Sequence, residues 1–259
     1  MIKKIALTLT LLTQLSFAAT PEQVEQYLLV SNTEEELISL EAQFSAMQNG
    51  FRPDANESKN KTYDMQLITV RFKEYLEKHL SDNEMEKVLE NYKNVVMLQY
   101  VSAQGATDYD ANTASTYIAK LEADTGAGVR MDLIKKISKK FFSEEAMSIM
   151  FEELMLPLMK NGMGAKKMDD KMLKGAKEYY LKNIGEGATK TEMYLLRDFS
   201  LEELEELLKI AKTPAVGYET KAVYAATSYA LKDFFIGMAS RYDVSKHKPK
   251  ETEDTKHTK

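Results

Sequence analysis

Apolar residues recur at intervals of three and four along nearly the whole chain, and a chain so patterned buries them by forming helices that pack on one another. Met85, Val88, Leu89, Tyr92, Val95 and Val96 show the spacing, as do Leu201, Leu204, Leu207, Leu208 and Ala211. No comparable run alternates with a period of two. Five prolines and eleven glycines are few breakers for 259 residues. The expected fold is therefore all-α, a helical bundle of about ten helices.

Helix starts are marked by a hydroxyl that accepts from an early backbone N–H while an acid or amide three residues on reaches back. Thr20-Pro21-Glu22-Gln23, Thr33-Glu34-Glu35-Glu36, Ser81-Asp82-Asn83-Glu84, Thr189-Lys190-Thr191-Glu192 and Ser200-Leu201-Glu202-Glu203 all fit. Pro21 and Pro214 stand where a first helical turn tolerates proline. Stops or joints are expected at Asn49-Gly50, Gly105, Gly126 to Gly128, Gly162 to Gly164 and Gly185 to Gly187. These signals place helices near 21–30, 33–48, 63–79, 82–102, 111–123, 129–140, 144–161, 169–183, 190–198 and 201–241, the last broken at Thr213-Pro214.

A shift of 119 residues lays Tyr75, Leu76, Ser81, Glu84, Glu86, Leu89 and Lys93 on Tyr194, Leu195, Ser200, Glu203, Glu205, Leu208 and Lys212 without a gap. Generic amphipathic helices with the same cap also look alike, so two readings stand: shared physics, or two related helical repeats. On the second, residues 19–124 form an N-terminal repeat and 125–244 a C-terminal one.

The stretch Phe199-Ser200-Leu201-Glu202-Glu203-Leu204-Glu205-Glu206-Leu207-Leu208, followed by Thr213-Pro214-Ala215-Val216-Gly217, resembles the signature of the DUF2059 family of exported helical proteins. Ile210-Ala211 replaces that pattern's aromatic pair, and Gly217 lies one residue late. Leu80 to Lys93 resembles the same signature with Tyr92 kept, and Asn94-Val95 stands where Thr/Ser-Pro would be. The resemblance implies a helical, exported protein. Its motif is one of packing and turns, and it implies no chemistry.

The first eighteen residues read as a signal peptide. Lys3 and Lys4 form a basic head, Ile5 to Leu15 an apolar run, and Ser16-Phe17-Ala18 a small-residue cleavage site. The run is short of the roughly 20 residues that cross a bilayer. Cleavage between Ala18 and Ala19 and release to the periplasm are expected, with no membrane span in the mature chain. Two polar segments fall outside the packing, residues 49–61 as a surface loop and 245–259 as a disordered tail. Within the loop, Asp54-Ala55-Asn56-Glu57-Ser58 fits an extended acceptor sequence for bacterial glycosylation, which makes Asn56 a candidate site.

Cysteine is absent, which removes thiol catalysis, disulfides and a lipidated-cysteine anchor together. Once Lys3 and Lys4 are taken from the 35 basic residues, 33 face 40 acidic ones. That balance argues against a nucleic-acid partner. His79, His247 and His257 are the only histidines, two of them in the tail, so zinc and triad sites lack parts. His79 reads as a polar helix-end residue. Clustered acids such as Glu144-Glu145, Glu152-Glu153 and Glu202 to Glu206 read as solvated helix faces.

Seven of the fifteen methionines fall between Met147 and Met172, and Met155, Met159 and Met163 repeat at i, i+4 and i+8 along one helix face. Core filling is the plain reading. An adaptable interaction face for peptides and Cu(I) ligation are the alternatives, the last weakened by Pro157 and the neighbouring leucines. With no recognisable catalytic constellation and no implied cofactor or metal, the sequence reads as a non-enzymatic interaction or chaperone-like module with envelope proteins or peptides as partners. A carrier of a small apolar or lipid ligand between helices is the alternative, and an enzyme working through Glu, Tyr or Lys alone is a third class.

Overall fold

Three of the five expected capping boxes close in the structure, a computed structural model that describes residues 18–50, 67–105, 110–162 and 169–241. Thr20 with Gln23, Ser81 with Glu84 and Ser200 with Glu203 each exchange both hydrogen bonds. They start α1 (Pro21–Val30), α4 (Asp82–Asn91) and α11 (Leu201–Ala211). The other α-helices are α2 (Thr33–Gly50), α3 (Leu67–His79), α5 (Val95–Gln104), α6 (Ala111–Ala123), α7 (Gly128–Phe141), α8 (Glu144–Met150), α9 (Leu156–Gly162), α10 (Asp170–Leu195) and α12 (Pro214–Arg241). A π-helical turn, Phe151–Met155, joins α8 to α9. The described residues contain no β-strand, and the fold is an all-α helical bundle.

The remaining two boxes fail for local reasons. Asn32 takes the left-handed conformation at φ 61° and its carbonyl accepts from Glu36, so Thr33 is the first helical residue rather than the cap. Its hydroxyl instead meets that of Ser31 at 2.7 Å. Thr189 lies inside α10, where its hydroxyl donates back to the Gly185 carbonyl at 2.9 Å. The stop expected at Gly185 to Gly187 is therefore absent, and one helix replaces the two expected at 169–183 and 190–198. Each helical glycine costs about 1 kcal/mol against alanine. Packing on α7 and α8, through Ser138 against Thr189 and Met147 close to Gly185, offsets that cost.

Two expected long helices are divided instead. The helix placed at 82–102 breaks at Asn94, whose side chain accepts from the Val96 N–H at 2.8 Å and caps α5. The helix placed at 144–161 carries the π turn. Pro157 has no N–H to offer the Glu153 carbonyl, and in an α-helix its ring would collide with it. The chain widens one turn earlier, so that the Leu156 N–H donates to Phe151 O, five residues back.

The helix α12 is central: α3, α4, α8, α9 and the π turn all pack on it. A single apolar cluster runs from Val24 and Leu28 of α1 to Leu231 and Phe234 of α12 and draws on both halves of the chain. Leu204, Leu207, Met85 and Val88 are completely buried. Burial of side chains of this size contributes about 1.5–3 kcal/mol each. The halves also match in detail. Ser200 stands 119 residues after Ser81, the same spacing separates the starts of α5 and α12, and Met85 and Val88 fall on Leu204 and Leu207. The packing is reciprocal, with α4 on α12 and α11 on α5. No helix among the described residues is long and apolar enough to cross a membrane.

Candidate functional site

The central helix α12 presents two chemically different sides, one to a surface cleft and one to a buried acid–tyrosine network. The cleft, about 490 Å³, lies between α3, α12 and the wall formed by α8 and the π turn. Its floor is small and apolar, from Ala222, Ala225 and Leu80. Alanines three apart on α12 leave room there because they fall on one helix face.

An aromatic wall runs along one side. Tyr75 and His79, four apart on α3, stack with centroids 4.0 Å apart and planes at 19°. Tyr229 of α12 continues it, 5.6 Å from Tyr75. Both His79 and Tyr229 are exposed. The sequence reading of His79 as a helix-end residue holds for its position, and the structure adds that its ring belongs to the cleft.

The opposite edge carries charges in pairs. Lys221 meets Glu145 of α8 at 2.7 Å, and Lys232 meets Glu153 of the π turn at 3.5 Å. The π turn sends neighbouring acids to different helices, because Glu152 turns to Lys177 of α10 at 2.6 Å. Phe151 and Leu154 meanwhile enter the core. These surface pairs contribute little stability each. Their consequence is electrostatic: the cleft presents no uncompensated lysine. Burial, and then the negative charge of Glu153, hold the Tyr75 hydroxyl above its usual range, so it stays a neutral donor.

Behind α12 lies the network. The buried Glu219 carboxylate accepts from Tyr27 of α1 at 3.1 Å and from Tyr92, the residue that ends α4. Glu192 of α10, fully buried, accepts from Tyr100 of α5 at 2.8 Å, and Gln104 donates in turn to that tyrosine oxygen. In each carboxylate the second oxygen, Oε2, is buried without a partner among the described residues. Burial raises both acids to about 7, and the tyrosine hydrogen bonds pull weakly the other way. Among the described residues, no lysine or arginine is bonded to either group.

Comparison with family models, with curated proteins and with solved structures gives no match.

Among the residues singled out in the sequence, Met155 and Met159 are half-buried on the π turn and α9, beside α12. Met163 and Asn56 lie outside the described residues, as do the signal segment through Phe17 and the tail. The described residues hold no group of three or more histidine, aspartate or glutamate side chains placed to bind a metal ion. Glu192 and Glu219 were missed in the sequence, Glu192 because it completes an apparent capping box. A signal for Glu219 existed: it is the one acid in the first turns of α12, among Ala215, Val216, Gly217 and Ala222.

Proposed function

We propose that the chain is an exported, non-enzymatic interaction module of the bacterial envelope that holds a peptide segment of a partner protein in the α3–α12 cleft. Export rests on the signal-like first eighteen residues, and kinship with the DUF2059 family, on the motif quoted above, belongs to the same proposal. The observation that supports binding is the cleft itself: an exposed aromatic wall over a small-residue floor, beside a π turn, a distortion that recurs at functional sites. Aromatic surface with polar tips suits peptide contact because it buries area at low entropic cost. The carrier reading has less support, since the cleft is edged by Lys221, Lys232, Glu145 and Glu153, which an apolar ligand would desolvate.

The test is photocrosslinking from the cleft in the native envelope. With the photoreactive residue p-benzoylphenylalanine in place of Tyr229, a discrete protein adduct is expected, and the same probe at exposed Tyr179 on α10 should not give it. Failure to obtain an adduct specific to position 229 overturns the assignment.

A further inference from the structure

The cleft's lining narrows the kind of peptide it fits, given the reading of the cleft as a binding surface. We infer that it takes a proline-rich segment in the polyproline II conformation, with pyrrolidine rings against Tyr75 and Tyr229 and peptide carbonyls facing the tyrosine hydroxyls.

Three observations lead there. First, the mode of binding is constrained by the fold. Strand addition needs an open sheet edge, and the described residues have no strand. A docked helix needs pockets for a row of large apolar anchors, whereas this floor of Ala222, Ala225 and Leu80 runs beneath a wall of aromatic rings with polar tips. Polyproline II segments instead lie in shallow grooves lined by aromatic rings.

Second, the hydrogen-bonding groups match. The phenol oxygens of Tyr75, Tyr218 and Tyr229 have no partner among the described residues, and all three line the cleft. A phenol hydroxyl can donate to a carbonyl. A proline-rich strand has unpaired carbonyls and few N–H groups, so it asks for donors and offers little to acceptors.

Third, the charges are already satisfied. Lys221 and Lys232 are each paired with an acid, which leaves neither lysine free for a phosphate or carboxylate ligand, and the third acid of the lining, Glu84, is engaged by the Ser81 N–H and hydroxyl in its capping box. A neutral, pre-extended strand also loses little conformational entropy on docking.

The experiment uses the full mature chain and an end-blocked nonamer of proline, followed by NMR. Saturable shifts confined to Tyr75, His79, Tyr218, Tyr229 and their neighbours are expected, with a Kd on the order of 100 µM. Raising salt should change that Kd less than about twofold, since no net charge is exchanged. Tyr229→Ala should weaken binding at least about tenfold, and Tyr229→Phe, which keeps the ring and removes the donor, by an intermediate amount. No saturable shift up to about 1 mM overturns the peptide class, and so do shifts scattered over other surfaces. Saturable binding of a chitin tetrasaccharide at the same residues, with the proline nonamer inactive, overturns it in favour of a glycan. An adduct from position 229 together with an inert proline nonamer would leave the cleft assignment standing and remove only the ligand class.

Discussion

Tyr27 on α1 donates its hydroxyl proton to Glu219 on α12, across 192 residues of sequence, and Tyr92 donates to the same carboxylate oxygen. The contact joins α1, α4 and α12 at one buried point. The carboxylate is held there by neutral donors alone, so its ionisation is an energetic burden that a cation would have relieved.

That burden sets a pH dependence. Glu219 and Glu192 both titrate near 7 when folded, against about 4.5 for the ordinary side chain. Their raised values favour the fold most below about pH 4.5, and the benefit is lost as pH rises through 7, by roughly 3 kcal/mol for each group at full effect. The melting temperature should fall between pH 5 and pH 8. In Glu192→Gln/Glu219→Gln it should be higher than wild type at pH 8 and nearly flat across that window. Thermal melts at both pH values decide it, and an unchanged slope in the double variant would place the titration elsewhere.

Tyr100→Phe removes the only donor to Glu192 among the described residues and leaves both oxygens of the buried carboxylate without a partner there. The expected loss is about 1–3 kcal/mol at pH 8, where the acid is charged, and less at pH 5. Denaturant titration at the two pH values measures it. Tyr27→Phe should cost less, because Tyr92 still donates to Glu219.

Leu207 and Val88, at matched positions in the two halves, are both completely buried. Leu207→Asp and Val88→Asp should each lower stability by several kcal/mol through an unpaired buried charge. Circular dichroism melts give the answer, and a midpoint within a degree or two of wild type for either would contradict the packing described for that half.

Cleavage between Ala18 and Ala19 would place a new ammonium group at a specific point. The Ala19 N–H already donates to the Leu80 carbonyl at 2.9 Å, just past the C-terminal end of α3, and its side chain is buried. A cation there meets the negative end of the helix dipole, worth about 0.3–1 kcal/mol. N-terminal sequencing of the envelope protein should read Ala19 first. Protein acetylated at Ala19 should melt slightly lower at pH 7, and the difference should vanish as pH rises well past the amine's ordinary value near 8.

Period, caps and breakers determined the helices because those signals act within a turn or two. The box at Ser200, the start at Pro214 and the inward faces of Leu204 and Leu207 follow from residues no more than four positions apart. Thr189 to Glu192 shows where that reach ends. The four residues satisfy the local pattern of a cap, yet α7 and α8 hold the helix through Gly185, and Tyr100, 92 residues away, claims the acid. The cleft has the same origin. Tyr75 and His79 share a face by spacing alone, whereas Tyr229, Glu153 and Lys221 join them because α12 packs across α3 and Pro157 forces the adjacent wall into a π turn. Side-chain direction along one helix is a local property. Which charges meet, and which acid goes without water, is decided by helix packing.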